Sequence, residues 1–343
     1  MLKDLINDLK KRLILAGSMT ILTLLVFLYL ADYESIATGL GILALALLLI
    51  NGVVLYIRSK AVNKNYTKNV IASLLVLCNV LIAFCTTIFI IADAMFFYPN
   101  QDDEAYQKNK QNGMLEEVTI EEDGASLGGW FGKNATGKAP LVIYFGGNGE
   151  CSARRFDNLE TYQIWDTFEG FNFLMVDYPG YGLSAGKPSD NAMFVMAKKV
   201  YDYAITREDV DPDHIVVMGY SLGTGVATYL SSQREVSGLI LMAPYDEGLS
   251  LYNSKMNIFK GPLKLLATNH YDSKKYAEKV TVSPIILASK DDEMIPYSLS
   301  VELSKHFQNN PQLITYEGFY HNDFWGKDEV FTKIKAYLQE VAQ

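Results

Sequence analysis

Gly219-Tyr220-Ser221-Leu222-Gly223 is the stretch of this 343-residue chain best suited to chemistry. It has the form G-x-S-x-G. A serine hydroxyl is a weak nucleophile near neutral pH until a base takes its proton. On a sharp turn from strand to helix it is lifted above a sheet, and the helix N-terminus favours developing negative charge. The apolar run 215–218 precedes the pentapeptide and a helical pattern over 222–233 follows it. That context predicts a nucleophile at Ser221.

The chain has four histidines from which to draw a base. His214 precedes the serine strand, at its amino end. His270 falls in a connector and His306 near the end of a surface helix. His321 follows the last apolar run, in Gly318-Phe319-Tyr320-His321-Asn322-Asp323. That places it at the carboxyl ends of the strands, in the order serine, acid, histidine. The acid that would orient it is ambiguous. Asp291, Asp292 and Glu293 all follow run 285–288, and Asp246 follows the strand before. Backbone N–H groups must receive the oxyanion. Leu222, next after the serine, supplies one. Gly146-Gly147-Asn148-Gly149-Glu150 supplies the other, with Asn148 the chosen donor. Gly147, Glu150, Tyr181 and Tyr220 are candidate substrate-pocket residues. The loop Asp177-Tyr178-Pro179-Gly180-Tyr181-Gly182-Leu183-Ser184 reads as support beside the site.

The elements around these residues alternate. Runs 115–120 and 126–131 flank a turn signal and read as an antiparallel hairpin. Continuous apolar runs at 141–145, 173–176, 215–218, 239–242, 285–288 and 313–316 read as buried parallel strands. Helical patterns occupy 192–206, 222–233, 299–308 and 328–341. The expected fold is α/β, a doubly wound and mostly parallel sheet. Between 247 and 280, Leu251, Met256, Ile258, Phe259, Leu263, Leu265 and Leu266 form either the buried face of a connecting helix or a small apolar cap.

The first hundred residues differ from the rest. Uncharged apolar runs at about 13–31, 35–57 and 69–92 each reach the ~20 residues that span a bilayer. Lys10, Lys11 and Arg12 precede the first run; Arg58, Lys60, Lys64 and Lys68 separate the second from the third. By the positive-inside rule the N-terminus is cytoplasmic, and three crossings put the C-terminal domain outside the cytoplasm. The expected organisation is a membrane domain over 1–98 with three transmembrane helices, a linker over 99–114 and a globular domain over 115–343. Residues 1–93 carry eight basic and five acidic side chains, and the remainder 22 and 34, net −12. Such an acidic domain excludes nucleic acid as a partner. The three cysteines show no metal-ligand spacing,. Cys151, alone in the globular part, permits no disulfide there, and no cofactor is expected.

Asp177 to Ser184 fits D-Y-x-G-Y-G-x-S. With G-x-S-x-G, Asp292-Glu293-Met294-Ile295-Pro296 as D-x-x-I-P, and His321-Asn322-Asp323, it resembles the α/β-hydrolase superfamily, and within it the membrane-anchored bud-emergence group. The resemblance covers roughly residues 115–340. It implies Asp292 as the acid of a Ser221–His321–Asp292 triad. It also implies an acyl ester, thioester or lipid-like substrate. An aminopeptidase-like activity, with Glu150 or Asp246 taking a substrate amine, stays open, as does a non-catalytic binding or sensing role. The chain departs from the family pattern at Gly146, where histidine is usual, and at Glu150, where a small residue is common.

Overall fold

The computed structural model describes residues 96–122 and 125–342, together with Leu81 and Cys85. The chain divides into two compact units, Met1–Ala94 and Met95–Gln343. Apart from Leu81 and Cys85, the three apolar runs expected to span a membrane lie outside the described residues. Among the described residues, no helix is long and apolar enough to cross a membrane.

The second unit is built on a sheet of eight strands, counted among the described residues. They are β1 (Leu115–Glu122), β2 (Ala125–Gly132), β3 (Ala139–Phe145), β4 (Asn172–Val176), β5 (Val210–Tyr220), β6 (Gly238–Met242), β7 (Ile285–Ser289) and β8 (Gln312–Tyr316). Their spatial order is β1-β2-β4-β3-β5-β6-β7-β8. β1 pairs with β2, and β2 with β4, antiparallel; the rest are parallel. The helices are α1 (Asp103–Gln111), α2 (Ser152–Thr161), α3 (Asp190–Ala204), α4 (Leu222–Ser231), α5 (Gly248–Lys255), α6 (Ser273–Ala277), α7 (Tyr297–Ser304) and α8 (Asp328–Val341).

The continuous apolar runs are central strands buried on both faces. Val142, Tyr144, Val216, Met218, Ile240, Met242 and Leu287 point to one face, into a core with Phe156 of α2 and Ile334 and Leu338 of α8. Their alternates, such as Ile143, Val217 and Leu241, are equally buried on the other,. There α4 packs on β5, and α3 on α4. Burying each such aliphatic side chain stabilises the fold by about 1.5–3 kcal/mol. Strand order reverses between β3 and β5, and their carboxyl ends form the crevice where a site is expected.

The linker expected over 99–114 is largely helix. Asp102 caps α1, its Oδ1 accepting from Ala105 N at 3.0 Å. Asp103 and Glu104 lie in the first turn, Lys108 and Lys110 in the last, which suits the helix dipole,. Only Ala105 and Asn109 of α1 are buried, and Asn109 Nδ2 donates to Ala153 O of α2 at 2.9 Å. A helix held by caps and charges has no apolar stripe for a pattern search to find.

Arg207 ties the edge of the sheet to the turn before β5. Its guanidinium donates to Glu116 Oε1 at 2.9 Å and Asp209 Oδ1 at 2.8 Å, and lies 3.8 Å from the Phe131 ring centroid. The Arg207 hydrogen bonds hold the Glu116 carboxyl down at about 2 against an ordinary 4.5. A lowered folded-state pKa stabilises above the unfolded value and is lost as pH falls toward the folded one. Glu116→Gln therefore lowers Tm at pH 7 by no more than about 4 °C. Its Tm then falls less than that of the wild type as pH drops from about 4.5 to about 2. Circular-dichroism melting across that range checks both.

Candidate active site

β5 ends at Tyr220 and α4 begins at Leu222, leaving Ser221 alone on the turn at φ 51°, ψ −118°. A non-glycine residue in that region carries about 1–3 kcal/mol of strain, so surrounding structure must hold it. Ser221 N donates to Met242 O of β6 at 2.9 Å, and its carbonyl accepts from Thr224 N at 3.0 Å and Thr224 Oγ1 at 2.6 Å. The flanking glycines are steric necessities. A methyl group on Gly223 would overlap the Phe145 carbonyl, and one on Gly219 would lie 2.6 Å from Gly223 O.

His321 comes from the loop after β8. Its Nε2 is 2.9 Å from Ser221 Oγ and its Nδ1 is 2.8 Å from Asp292 Oδ2. An ionised carboxylate can only accept, which puts the imidazole proton on Nδ1 and leaves Nε2 as acceptor for the serine hydroxyl. All three groups are less than 9 % exposed. Asp292 Oδ1 accepts from Met294 N at 2.8 Å and Ile295 N at 2.7 Å, which fixes the carboxylate. Its two neighbours are engaged as well. Glu293 Oε2 accepts from His321 N at 2.9 Å, and Asp291 Oδ2 from Gly318 N at 2.6 Å. Three consecutive carboxylates thus grip the histidine loop. Asp246, the outside candidate, pairs with Lys274 Nζ at 3.2 Å instead. His214 and His306 pair with Asp211 and Glu278.

Tyr220 is not in the pocket wall. Its ring stacks on His321 with centroids 5.1 Å apart, and its hydroxyl donates to the His321 carbonyl at 2.8 Å. Burial, with the Asp292 charge nearby, pushes the Tyr220 phenol up and keeps it a donor. Tyr181 is also fully buried, and its hydroxyl donates to Asn148 Oδ1 at 2.9 Å. Asp177, the first residue of the glycine-rich loop, is buried and pushed up by desolvation. It accepts from Ser152 Oγ at 2.8 Å and Leu183 N at 2.9 Å, so that loop is support for α2 and its neighbours.

Glu150 is held within the protein, its side chain only 17 % exposed. It forms an ion pair with the buried Arg155 guanidinium. Its Oε2 also accepts from Tyr144 OH and from Gly147 N, both at 2.7 Å. Arg155 in turn lies 3.4 Å from the Trp325 ring centroid. Burial pushes the Arg155 pKa down, while the phenols of Tyr144 and Tyr220 pull it back up. A methyl group on Gly146 would collide with the Glu150 carboxylate and come within 2.9 Å of Met175. The two departures from the family pattern are therefore one arrangement: the carboxylate fills space that a side chain at 146 would need.

Ser221, Leu222 and Asn148 line one open pocket of about 80 Å³. Its walls are mostly apolar, with Leu251 and Tyr252 of α5 and Met294 and Ile295 of the acid loop. Phe96 also lines it, a residue that no motif marks in the sequence. Its only signal was position, just past the last apolar run. The 247–280 stretch is part cap, part connector: Leu251 faces the pocket, Phe259 is buried against Tyr252 and Leu265 is exposed.

Removing one partner of a buried ion pair strands the other, typically at about 3–5 kcal/mol. Arg155→Met should accordingly lower Tm by roughly 10 °C. Arg155→Met combined with Glu150→Gln should recover part of that loss. Thermal unfolding followed by tryptophan fluorescence checks the pair.

Comparison with known proteins points the same way. A family model described as the alpha/beta hydrolase fold matches residues 140–282. An uncharacterized protein of Mycobacterium tuberculosis is 30% identical over 210 residues, covering 60% of this chain and 72% of that protein. Alpha/beta hydrolase domain-containing protein 17C of Xenopus tropicalis is 26% identical over 218 residues, covering 63% and 67%. Among solved structures, an esterase of Pyrococcus furiosus superposes with a TM-score of 0.56 at 18% identity, over 71% of this chain and 98% of its own. Est1E of Butyrivibrio proteoclasticus with bound ferulic acid gives 0.54 at 21% identity, over 65% and 98%. At such identities the structural likenesses speak for the fold alone. With sheet order, elbow and sequence relatives in agreement, the chain belongs to the α/β-hydrolase superfamily.

Proposed function

We propose that this chain is a membrane-anchored serine hydrolase that cleaves an acyl ester or thioester through an acyl-enzyme. The observation that carries this reading is the hydrogen-bonded line Asp292–His321–Ser221, ending on a serine held in strained backbone at the head of α4. His321 Nε2 takes the hydroxyl proton as Ser221 Oγ attacks the carbonyl. The carbonyl oxygen becomes an oxyanion facing the N–H groups of Leu222 and Asn148. His321 returns the proton to the departing alcohol or thiol, and Asp292 stabilises the imidazolium between the two transfers. Water then attacks the acyl-enzyme by the same route in reverse, freeing the acid and Ser221.

The mostly apolar pocket beside Ser221 favours an apolar acyl group,. The esterases of like fold are consistent with ester chemistry. A peptidase needs an anion for a substrate amine, and both candidates are engaged: Glu150 by Arg155, Asp246 by Lys274. A purely binding role gives no reason to maintain strain at Ser221. The apolar runs over 13–31, 35–57 and 69–92 anchor the enzyme, with the hydrolase unit outside the cytoplasm.

A fluorophosphonate probe should label the wild type and leave Ser221→Ala unlabelled. Absent labelling, or labelling that survives Ser221→Ala, defeats the proposal. Asp292→Asn should lower kcat on p-nitrophenyl esters by about 10³–10⁴-fold, and aminoacyl amides should be poor substrates beside those esters. Reporters fused to the C-terminus should read out on the extracytoplasmic side; a cytoplasmic signal overturns the topology.

A further inference from the structure

We infer that segment 96–101 is part of the active site, with Phe96 setting the acyl-chain length accepted and Asn100 positioning the oxyanion loop. This rests on the hydrolase reading and names residues that the reaction scheme above does not use. The segment precedes every element of the sheet and was expected to straddle the end of the membrane domain and the start of a linker. Its contacts are with the site.

Phe96 is 3% exposed and lines the pocket that holds Ser221. Its ring packs on Tyr252 with centroids 4.4 Å apart and lies parallel to Tyr271 at 5.8 Å and 6°. Held by two aromatic rings, it is a fixed wall rather than a mobile side chain. An acyl chain leaving the serine runs between this wall and Leu222, Leu251 and Ile295. The ring sits where additional methylenes would go.

The following residues grip the loop after β3. Tyr98 N donates to Asn148 Oδ1 at 2.8 Å and to Tyr181 OH at 2.9 Å. Asn100 Nδ2 donates to Gly149 O at 3.0 Å. Asn100 is itself held, its carbonyl accepting from Gly182 N at 2.9 Å. Gln101 Nε2 donates to Gly182 O at 3.0 Å. Gly147 N, on the far side of Asn148, is held by Glu150. Asn148 is thus clamped from both neighbours, which fixes the direction of its own N–H. Gly149, at φ 82°, would otherwise leave this loop free to turn,.

The test uses the full chain as wild type, Phe96→Leu, Phe96→Ala and Asn100→Ala. The substrates are p-nitrophenyl acetate, butyrate, octanoate and laurate, with melting temperatures measured alongside. Phe96→Ala should raise the octanoate-to-acetate ratio of kcat/KM by about 10-fold, and Phe96→Leu should do so by a smaller factor. Should Phe96→Ala fail to fold, Phe96→Leu carries the comparison. Asn100→Ala should lower kcat about 10-fold at every chain length, with KM unchanged and fluorophosphonate labelling slowed in proportion. A chain-length profile unchanged in the Phe96 variants, or activity reduced equally at all lengths, overturns the role of Phe96. A raised KM with unchanged kcat overturns that of Asn100. Wild type inert toward all four esters and the probe overturns the hydrolase reading itself, and this inference with it.

Discussion

A serine at φ 51° between a strand and a helix demands that the backbone around it be pressed together. Nothing larger than glycine fits at 219 or 223, because α4 must approach β3 and β5 almost to contact. Once that approach is made, the Ser221 amide reaches the Met242 carbonyl and couples β5 to β6 at their carboxyl ends. The strain is local, and its support is distributed over the sheet. Loops after β3, β7 and β8 then need only reach the same crevice to meet the serine, which is why chemistry can collect there from residues far apart in sequence.

The loop that supplies His321 is held more firmly than its exposed position suggests. Asp291, Asp292 and Glu293 each accept from a different part of it, and Ser289 Oγ adds a bond to the Phe319 carbonyl at 2.7 Å. Tyr220 supports the imidazole from beneath and holds its carbonyl. The imidazole therefore has almost no freedom to turn away from the serine, and only a proton has to move between them. Preorganisation of this kind lowers the reorganisation required at the moment of reaction.

How much was legible in the sequence depended on whether a signal was local. The buried strands announced themselves by composition, and the elbow by its glycines, because both follow from steric rules acting over a few residues. His321 could be singled out by elimination among four histidines placed on a predicted sheet. The acid could not. Three adjacent carboxylates all bond to one loop, and which oxygen meets Nδ1 is decided by loop path, not by residue type. Helix α1 went unseen because its stability comes from a cap, charges and one buried amide rather than from an apolar stripe. Phe96 went unseen because its role depends on Tyr252 and Tyr271, more than 150 positions away. The role of Glu150 is not legible, and a pocket position is the natural expectation, because no pattern links it to Arg155 five residues on, across the start of α2.

Gly146 and Glu150 have a consequence for how this site could have arisen. The carboxylate and a side chain at 146 compete for the same volume, so they cannot have been exchanged in either order at equal cost. Losing the side chain at 146 first opens a void, which is tolerable. Acquiring the carboxylate first would turn its flexible end away from Arg155, so the new charge would gain no ion pair. The less costly order places glycine at 146 before glutamate at 150. Arg155 would have to be present, or follow closely, for the new charge to persist. Reversal at 146 alone then has a cost: restoring a bulky residue there would push the carboxylate out of its ion pair. The chain would hold its oxyanion loop by a ratchet, in which each step makes the one before it harder to undo.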